Sequence, residues 1–403
     1  MTPVQVRLMD ATTPPHVMTL VAQAAVAALA MNVFLPSLPR MTEYFGTDYA
    51  VMQLSVSLYL LVNAVLQLFI GTISDRFGRR PVMIAALIGF ILATVGTLLA
   101  TTASVFLVFR MMQAVVVTAM VVSRASIRDV LDEAEAASRI GYVTMGMAIV
   151  PMVAPAIGGL LDEAFGWRGS FALMLLAGVG VLALTWRDMG ETKLERGGSM
   201  SGVLREVPEL MRARRFWGYC GTATLASGAF FAYLGGAPFV GATVFGMGPA
   251  QLGLFFGAPA IGYAAGNFLS GRYAGRFGIN RMILVGCLVA FGGMLGLLIL
   301  ALVTPLGPLT FFGCFISVGL GNGMLLPSAT SGMMSVRPHL AGTASGIGGA
   351  IMIGGGAGLS ALAGAMLSPE SGAMPLIWLM VTTTGLGILP LLYVLHRERR
   401  IAG

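Results

Sequence analysis

Arg110 is the residue of this sequence best able to do chemistry in a costly place. It stands inside the apolar run 104–126, and Gln113, three positions on, falls on the same helical face. An ionised group in a hydrocarbon layer needs a partner or a watery cavity. Arg110 can therefore bind a substrate or steer a proton by changing partners; it can also be a structural cation held by carbonyls and Gln113. Asn32 lies about as deep in the run 17–38, because each helical residue rises about 1.5 Å. The second chemical group is the stretch Gly71-Thr72-Ile73-Ser74-Asp75-Arg76-Phe77-Gly78-Arg79-Arg80-Pro81, set between two long runs that lack acids and bases. Gly71 and Gly78 frame it, as a tight hairpin requires, and Pro81 can open the next helix. Nothing else invites catalysis. No nucleophile with a base, metal-ligand cluster or nucleotide loop is present, and His16, His339 and His396 fall at run ends or in tails. Cys220, Cys287 and Cys314 sit inside runs, where a thiol is a small packing residue. The reading is not an enzyme, with no metal and no cofactor.

The elements that must position these groups follow from composition. Of 403 residues, 57% are hydrophobic and 10% charged, with mean hydropathy +0.86; an ordinary soluble fold is excluded. Apolar stretches of about 20 residues recur along the chain, each long enough to span a bilayer as a helix. Twelve are read, at 17–38, 50–73, 82–101, 104–126, 139–161, 169–186, 217–241, 250–271, 282–303, 309–333, 342–367 and 374–395. The fold class is an all-α polytopic membrane protein of two six-helix halves. The first run resembles a signal peptide at Ala28-Leu29-Ala30 but continues to Leu38, which favours an uncleaved span.

A net charge of +7 would suit nucleic acid if it were clustered, but the bases occupy alternate loops. Arg76, Arg79, Arg80, Arg139, Lys193, Arg212, Arg276 and Arg397 fall on one side and Arg40 and Arg168 on the other. This bias puts both termini in the cytoplasm and excludes nucleic acid as a partner. The partner is the lipid bilayer.

Residues 187–216 form a mixed-charge linker between an N-terminal half, 1–186, and a C-terminal half, 217–403. A shift of about 200 residues carries the Gly71 stretch onto Gly271-Arg272-Tyr273-Ala274-Gly275-Arg276-Phe277-Gly278, so Gly71, Arg76, Phe77 and Gly78 recur in register. The second copy loses Asp75 and Arg79 to Gly275 and Ile279. The same shift sets Asn63 opposite Tyr263.

The first stretch resembles the loop between helices two and three of the major facilitator superfamily, G-x-L-a-D-R-x-G-R-K/R, with Ile73 for Leu. Asn32-Val33-Phe34-Leu35-Pro36-Ser37-Leu38-Pro39, Arg110-Met111-Met112-Gln113-Ala114 and Pro151-Met152-Val153-Ala154-Pro155-Ala156-Ile157-Gly158-Gly159 are similar to its drug and proton antiporters, of the bicyclomycin and chloramphenicol resistance type. Gly166-Trp167-Arg168 and Gly236-Ala237-Pro238-Phe239-Val240 extend the likeness in family order. The resemblance implies that Asp75 meets the start of helix eleven and that Arg79 pairs with Asp129, a latch that staples the halves; the alternative is that these charges only fix topology. It implies an exporter-type helix five at Pro151, Pro155, Gly158 and Gly159, either a sliding interface or plain tight packing.

The resemblance places helices one and four on a central cavity, so Arg110, Asn32 and Gln113 are expected to line it. Tyr59, Asn63, Tyr142, Met145, Phe230, Phe231, Tyr233, Tyr263 and Asn322 are further cavity candidates. The family has an acid where this chain has Asn32, and an amide carries no exchangeable proton near neutral pH. With no Asp or Glu inside any expected span, protons would use Glu43, Asp48, Asp75 or Asp129, or the protein is an uncoupled facilitator or importer. The expectation is a monomeric bacterial inner-membrane efflux transporter working by alternating access, powered by a proton gradient. Small lipophilic substrates that are neutral, zwitterionic or anionic are favoured over cations.

Overall fold

The computed structural model describes residues 6–131, 133–193 and 207–402. Twelve helices in it are long and apolar enough to cross a membrane: α1 (Val17–Phe45), α2 (Tyr49–Phe77), α3 (Arg79–Leu99), α4 (Ala103–Val130), α5 (Glu133–Phe165), α6 (Arg168–Asp188), α7 (Arg214–Val244), α8 (Pro249–Phe277), α9 (Ile279–Val303), α10 (Pro308–Ser335), α11 (Pro338–Met366) and α12 (Met374–Glu398). With even parity, both termini lie at one end of the bundle, here the terminal end; the opposite end is the far end. Large apolar side chains such as Leu92, Phe165, Leu176, Phe268 and Leu302 face outward, as a lipid-facing surface requires.

Several helices outrun the expected spans. Asp75, Arg76 and Phe77 are still helical, and the expected charged hairpin shrinks to Gly78 alone, with φ +98° between α2 and α3. Its counterpart Gly278 has φ +83° between α8 and α9. Two such joints 200 residues apart carry the internal repeat into the backbone, and glycine is what lets each adopt a left-handed φ at little cost. Longer helices also bring acids within their bounds. Glu43, Asp75, Asp129, Asp162, Glu163 and Asp188 all lie in the last turn or so of a helix, which corrects the expectation of acid-free spans while leaving the helix interiors free of carboxylates.

α1 is broken. The helix stops at Asn32, a short 3-10 turn covers Leu35–Ser37, and helix resumes from Leu38 to Phe45. Pro36 and Pro39 supply no N–H, so the regular ladder cannot pass. α5 packs onto this break so closely that a Cβ at Gly158 would stand 1.7 Å from the Val33 carbonyl oxygen.

Between α6 and α7, residues 207–212 are helical, while the linker residues 194–206 lie outside the described residues. Asp188, at the end of α6, is buried and accepts from the Met9 and His16 N–H groups at 2.7 and 2.9 Å and from Thr19 Oγ1 at 2.6 Å. It thereby satisfies free donors before and within the first turn of α1.

Candidate functional site

Two spaces lie between the helices that come before the linker and those after it. A central cavity of about 280 Å³ is lined by Asn32, Arg124, Met147 and Pro151 on one side and by Phe230, Phe256, Tyr263 and Asn322 on the other. Its walls are mainly apolar and aromatic with a few polar groups, the usual make-up of a small-molecule site. A second space of about 740 Å³ opens at the terminal end between α2 and α11, lined by Gln67, Gly71, Thr72 and Asp75 opposite Gly342, Thr343 and Gly346.

The far end is closed by contacts between the two sets of helices. Tyr49 Oη donates to the Gly235 carbonyl at 2.7 Å, its ring lies 5.0 Å from that of Phe239, and Gln53 Nε2 donates to the Ser360 carbonyl at 2.7 Å. α5 and α8 meet backbone to backbone. A Cβ at Gly159 would lie 2.1 Å from the Pro249 carbonyl oxygen, and one at Gly253 would lie 2.2 Å from that of Pro155. Glu163 Oε1 accepts from the Ala250 N–H at 3.3 Å, at the start of α8, where a carboxylate is favoured. The residues expected to form a helix-five interface are thus divided: Gly158 packs within its own half, and Pro155 and Gly159 face α8.

Arg110 is not in the cavity. It is 1% exposed and enclosed by α1, α2 and α4. Its Nη2 donates to the Ala30 carbonyl at 2.8 Å, beside the break in α1, its Nε to Ser55 O at 3.2 Å and its Nη1 to Gln113 Oε1 at 2.8 Å. The guanidinium carbon lies 4.2 Å from the Phe34 ring centre and 4.1 Å from that of Tyr59, a stacking that suits a planar cation out of water. Gln113 Nε2 continues the chain to Thr94 Oγ1 at 2.8 Å. Arg110 thus has the partners of its alternative reading, a structural cation held by carbonyls and Gln113, with two ring faces added, and these draw Arg110, Gln113 and Tyr59 into the protein and away from the cavity.

The other candidates separate in the same way. Asn32, Phe230, Phe231, Tyr263 and Asn322 line the cavity, with Asn32 Nδ2 donating to the Ala28 carbonyl at 2.8 Å. Tyr233 is buried behind it, its hydroxyl on the Phe256 carbonyl at 3.0 Å. Asn63 accepts from Gln67 at 2.6 Å on α2 and does not line the cavity, and Tyr142 is 54% exposed. The Met145 side chain lies outside the described residues.

Arg124 was missed. It lies about four turns from Arg110 on α4 and lines the cavity; among the described residues its Nε is buried without a hydrogen-bond partner and its Nη2 has only the Met147 sulfur at 3.6 Å. The signal was available, since Arg124 is also a cation within an apolar run.

At the terminal end Arg79 pairs with Asp129, Nε to Oδ2 at 2.9 Å, and with Asp75 through Nη2. Glu191 accepts from the Arg79 and Arg80 N–H groups at 2.8 and 3.3 Å and so caps α3, and Thr192 donates to Asp129. All of these groups lie before the second set of helices. The ion pair therefore braces α2, α3, α4 and the segment after α6, and does not join the two halves. Asp75 faces the start of α11 across the open cleft.

Comparison with known proteins agrees with this architecture. The sequence profile described as Major Facilitator Superfamily matches residues 20–361. A chloramphenicol resistance protein of Pseudomonas aeruginosa is 32% identical over 328 residues, covering 80% of this chain and 77% of that protein. Multidrug resistance protein D of Escherichia coli (strain K12) is 30% identical over 389 residues, covering 93% and 91%. Among solved structures, a bacterial homologue of the human lysosomal transporter Spinster, in an inward-facing and occupied conformation, superposes with TM-score 0.70 at 16% identity over 95% of this chain and 96% of that one.

Proposed function

Because the chain belongs to the Major Facilitator Superfamily, we propose that it exports small lipophilic molecules across the bacterial inner membrane by alternating access, in exchange for protons. The observation that carries this reading is one cavity shared by the two sets of helices, sealed by interlocking contacts at the far end while a cleft stands open at the terminal end. A site between two rocking halves is how such a fold moves a solute. Names of relatives that confer chloramphenicol and multidrug resistance support export of drug-like compounds.

Arg76, Arg80, Arg139, Arg212 and Arg276 lie toward the terminal end, against Arg40 and Arg168 toward the far end. That bias supports a cytoplasmic terminal end, and in this orientation the open cleft receives substrate from the cytoplasm. One chain supplies both walls of the cavity, which supports a working monomer. The 187–216 stretch is the cytoplasmic linker between halves 1–186 and 217–403 in this reading.

For the proton we assign Asp75, which faces the cleft and shares Arg79 with Asp129. A second reading, an uncoupled facilitator, is favoured by Asn32 in the cavity: among the described residues no carboxylate lines it. Substrates without net positive charge suit both readings.

The test is chloramphenicol resistance of expressing cells together with chloramphenicol uptake into everted vesicles. Uptake that rises with an imposed pH gradient and collapses on its dissipation is expected. Uptake indifferent to the gradient establishes the facilitator, and absence of both resistance and uptake for chloramphenicol and a panel of lipophilic drugs overturns export.

A further inference from the structure

Arg124 and Asn322 line the central cavity from opposite sets of helices, and each carries a buried polar atom without a hydrogen-bond partner among the described residues. These atoms are Arg124 Nε and Asn322 Oδ1, and Asn322 is 4% exposed. The lining also holds Phe230, Phe256 and Met352, with Asn32, Thr144, Ser227 and the Tyr263 hydroxyl as its other polar groups. Asp129, the nearest carboxylate along α4, is engaged by Arg79 and Thr192, and Arg128, one turn on, adds charge of the same sign. An unpartnered polar group in a low-dielectric site costs free energy that a complementary ligand recovers.

We propose that Arg124 is the specificity-determining residue of the cavity, and that the preferred substrate is a lipophilic monoanion whose carboxylate or equivalent group pairs with Arg124 while a donor elsewhere on it meets Asn322 Oδ1. This rests on the cavity being the transport site and deepens that reading by naming the charge it selects. The guanidinium offers a planar fork of donors that matches a carboxylate. The aromatic walls take the apolar body. Arg110 plays no part in this selection, since its donors are spent on carbonyls and Gln113.

The experiment is equilibrium binding of radiolabelled 6-hydroxy-2-naphthoate and 6-hydroxy-2-naphthamide, which share shape and a hydroxyl donor and differ in charge, to the full chain in nanodiscs. The parent should bind naphthoate saturably and about tenfold or more tighter than naphthamide, the strength of one charge-assisted bond. Arg124→Gln should abolish that preference by weakening naphthoate binding more than naphthamide binding, and Arg124→Lys should keep part of it. No saturable naphthoate binding to the parent, equal binding of the two probes, or an undiminished preference in Arg124→Gln overturns the proposal. If Arg124→Gln loses both probes, Arg124→Lys decides: a retained preference supports the assignment, and naphthamide binding without preference sinks it. Binding is read without flux, so an Arg124-dependent preference in a protein that exports nothing overturns export alone, and export without the preference overturns only the anion site.

Discussion

Arg79 Nε lies 2.9 Å from Asp129 Oδ2 while another of its nitrogens meets Asp75 one turn earlier, so one nearly buried cation joins the ends of three consecutive helices. A cation with two carboxylates tolerates the loss of one better than the loss of itself. Asp129→Asn should lower unfolding stability in detergent by about 1–3 kcal/mol, the range for a charged group left short of a buried partner. Arg276→Gln, at the equivalent joint of the repeat where no ion pair forms among the described residues, should stay within about 0.5 kcal/mol. Equal effects would mean that the bases at both joints serve orientation alone.

The two glycine joints should differ likewise. Gly78 and Gly278 share a positive φ with an extended ψ near +150°, so alanine at either meets a backbone cost of about 1–3 kcal/mol. A Cβ at Gly78 would also stand 2.4 Å from Glu191 Oε2, whereas at Gly278 nothing lies within 4 Å. Gly78→Ala should therefore displace the Glu191 cap from α3 and cost measurably more thermal stability than Gly278→Ala. In a Glu191→Ala background the difference should disappear.

The fold was legible because a hydrocarbon layer permits little but apolar helices of about 20 residues, and the repeat because both joints need glycine. Helix ends were underestimated for the same physical reason: charges beyond the hydrocarbon read as loop, yet Asp75-Arg76-Phe77 stay helical until Gly78. The site was half legible. Asn32, Phe230, Tyr263 and Asn322 lie where expected, but the place of Arg110 is decided by Ala30 and Ser55 carbonyls, which every sequence has. Glu191 has no mark that separates it from its solvated neighbours in a mixed-charge linker. Arg124 carries the same mark as Arg110, a cation within an apolar run.

Arg110→Lys tests the structural role of that residue. Lysine is a point charge with three donors on a flexible stem and cannot serve three acceptors while lying flat between Phe34 and Tyr59. A loss of about 1–3 kcal/mol in stability is expected from the unmet carbonyls and Gln113, with probe affinity in the protein that does fold unchanged. A selective loss of substrate affinity at undiminished melting temperature would return Arg110 to the binding site.

Gly159→Ala should change which end of the bundle is open. The added methyl would meet the Pro249 carbonyl at 2.1 Å, backbone against backbone, with the Ala250 Cα at 2.9 Å behind it, so no side-chain rotation relieves the clash and α5 and α8 must part. The remaining far-end contacts, Tyr49 on Gly235 and Gln53 on Ser360, contribute about 0.5–1.5 kcal/mol each and cannot hold a clashing seam. The population should move toward a state open at the far end, in which Asp75 and the start of α11 approach. In a cysteine-free background, a thiol at Thr72 should then lose reactivity toward a membrane-impermeant maleimide applied at the terminal end, and transport should fall. Tyr49→Phe, which removes one bond without a clash, should shift the same reactivity by about 2- to 12-fold, the Boltzmann factor of that bond. Unaltered thiol reactivity in Gly159→Ala would show that the α5–α8 seam packs the bundle without setting its conformation.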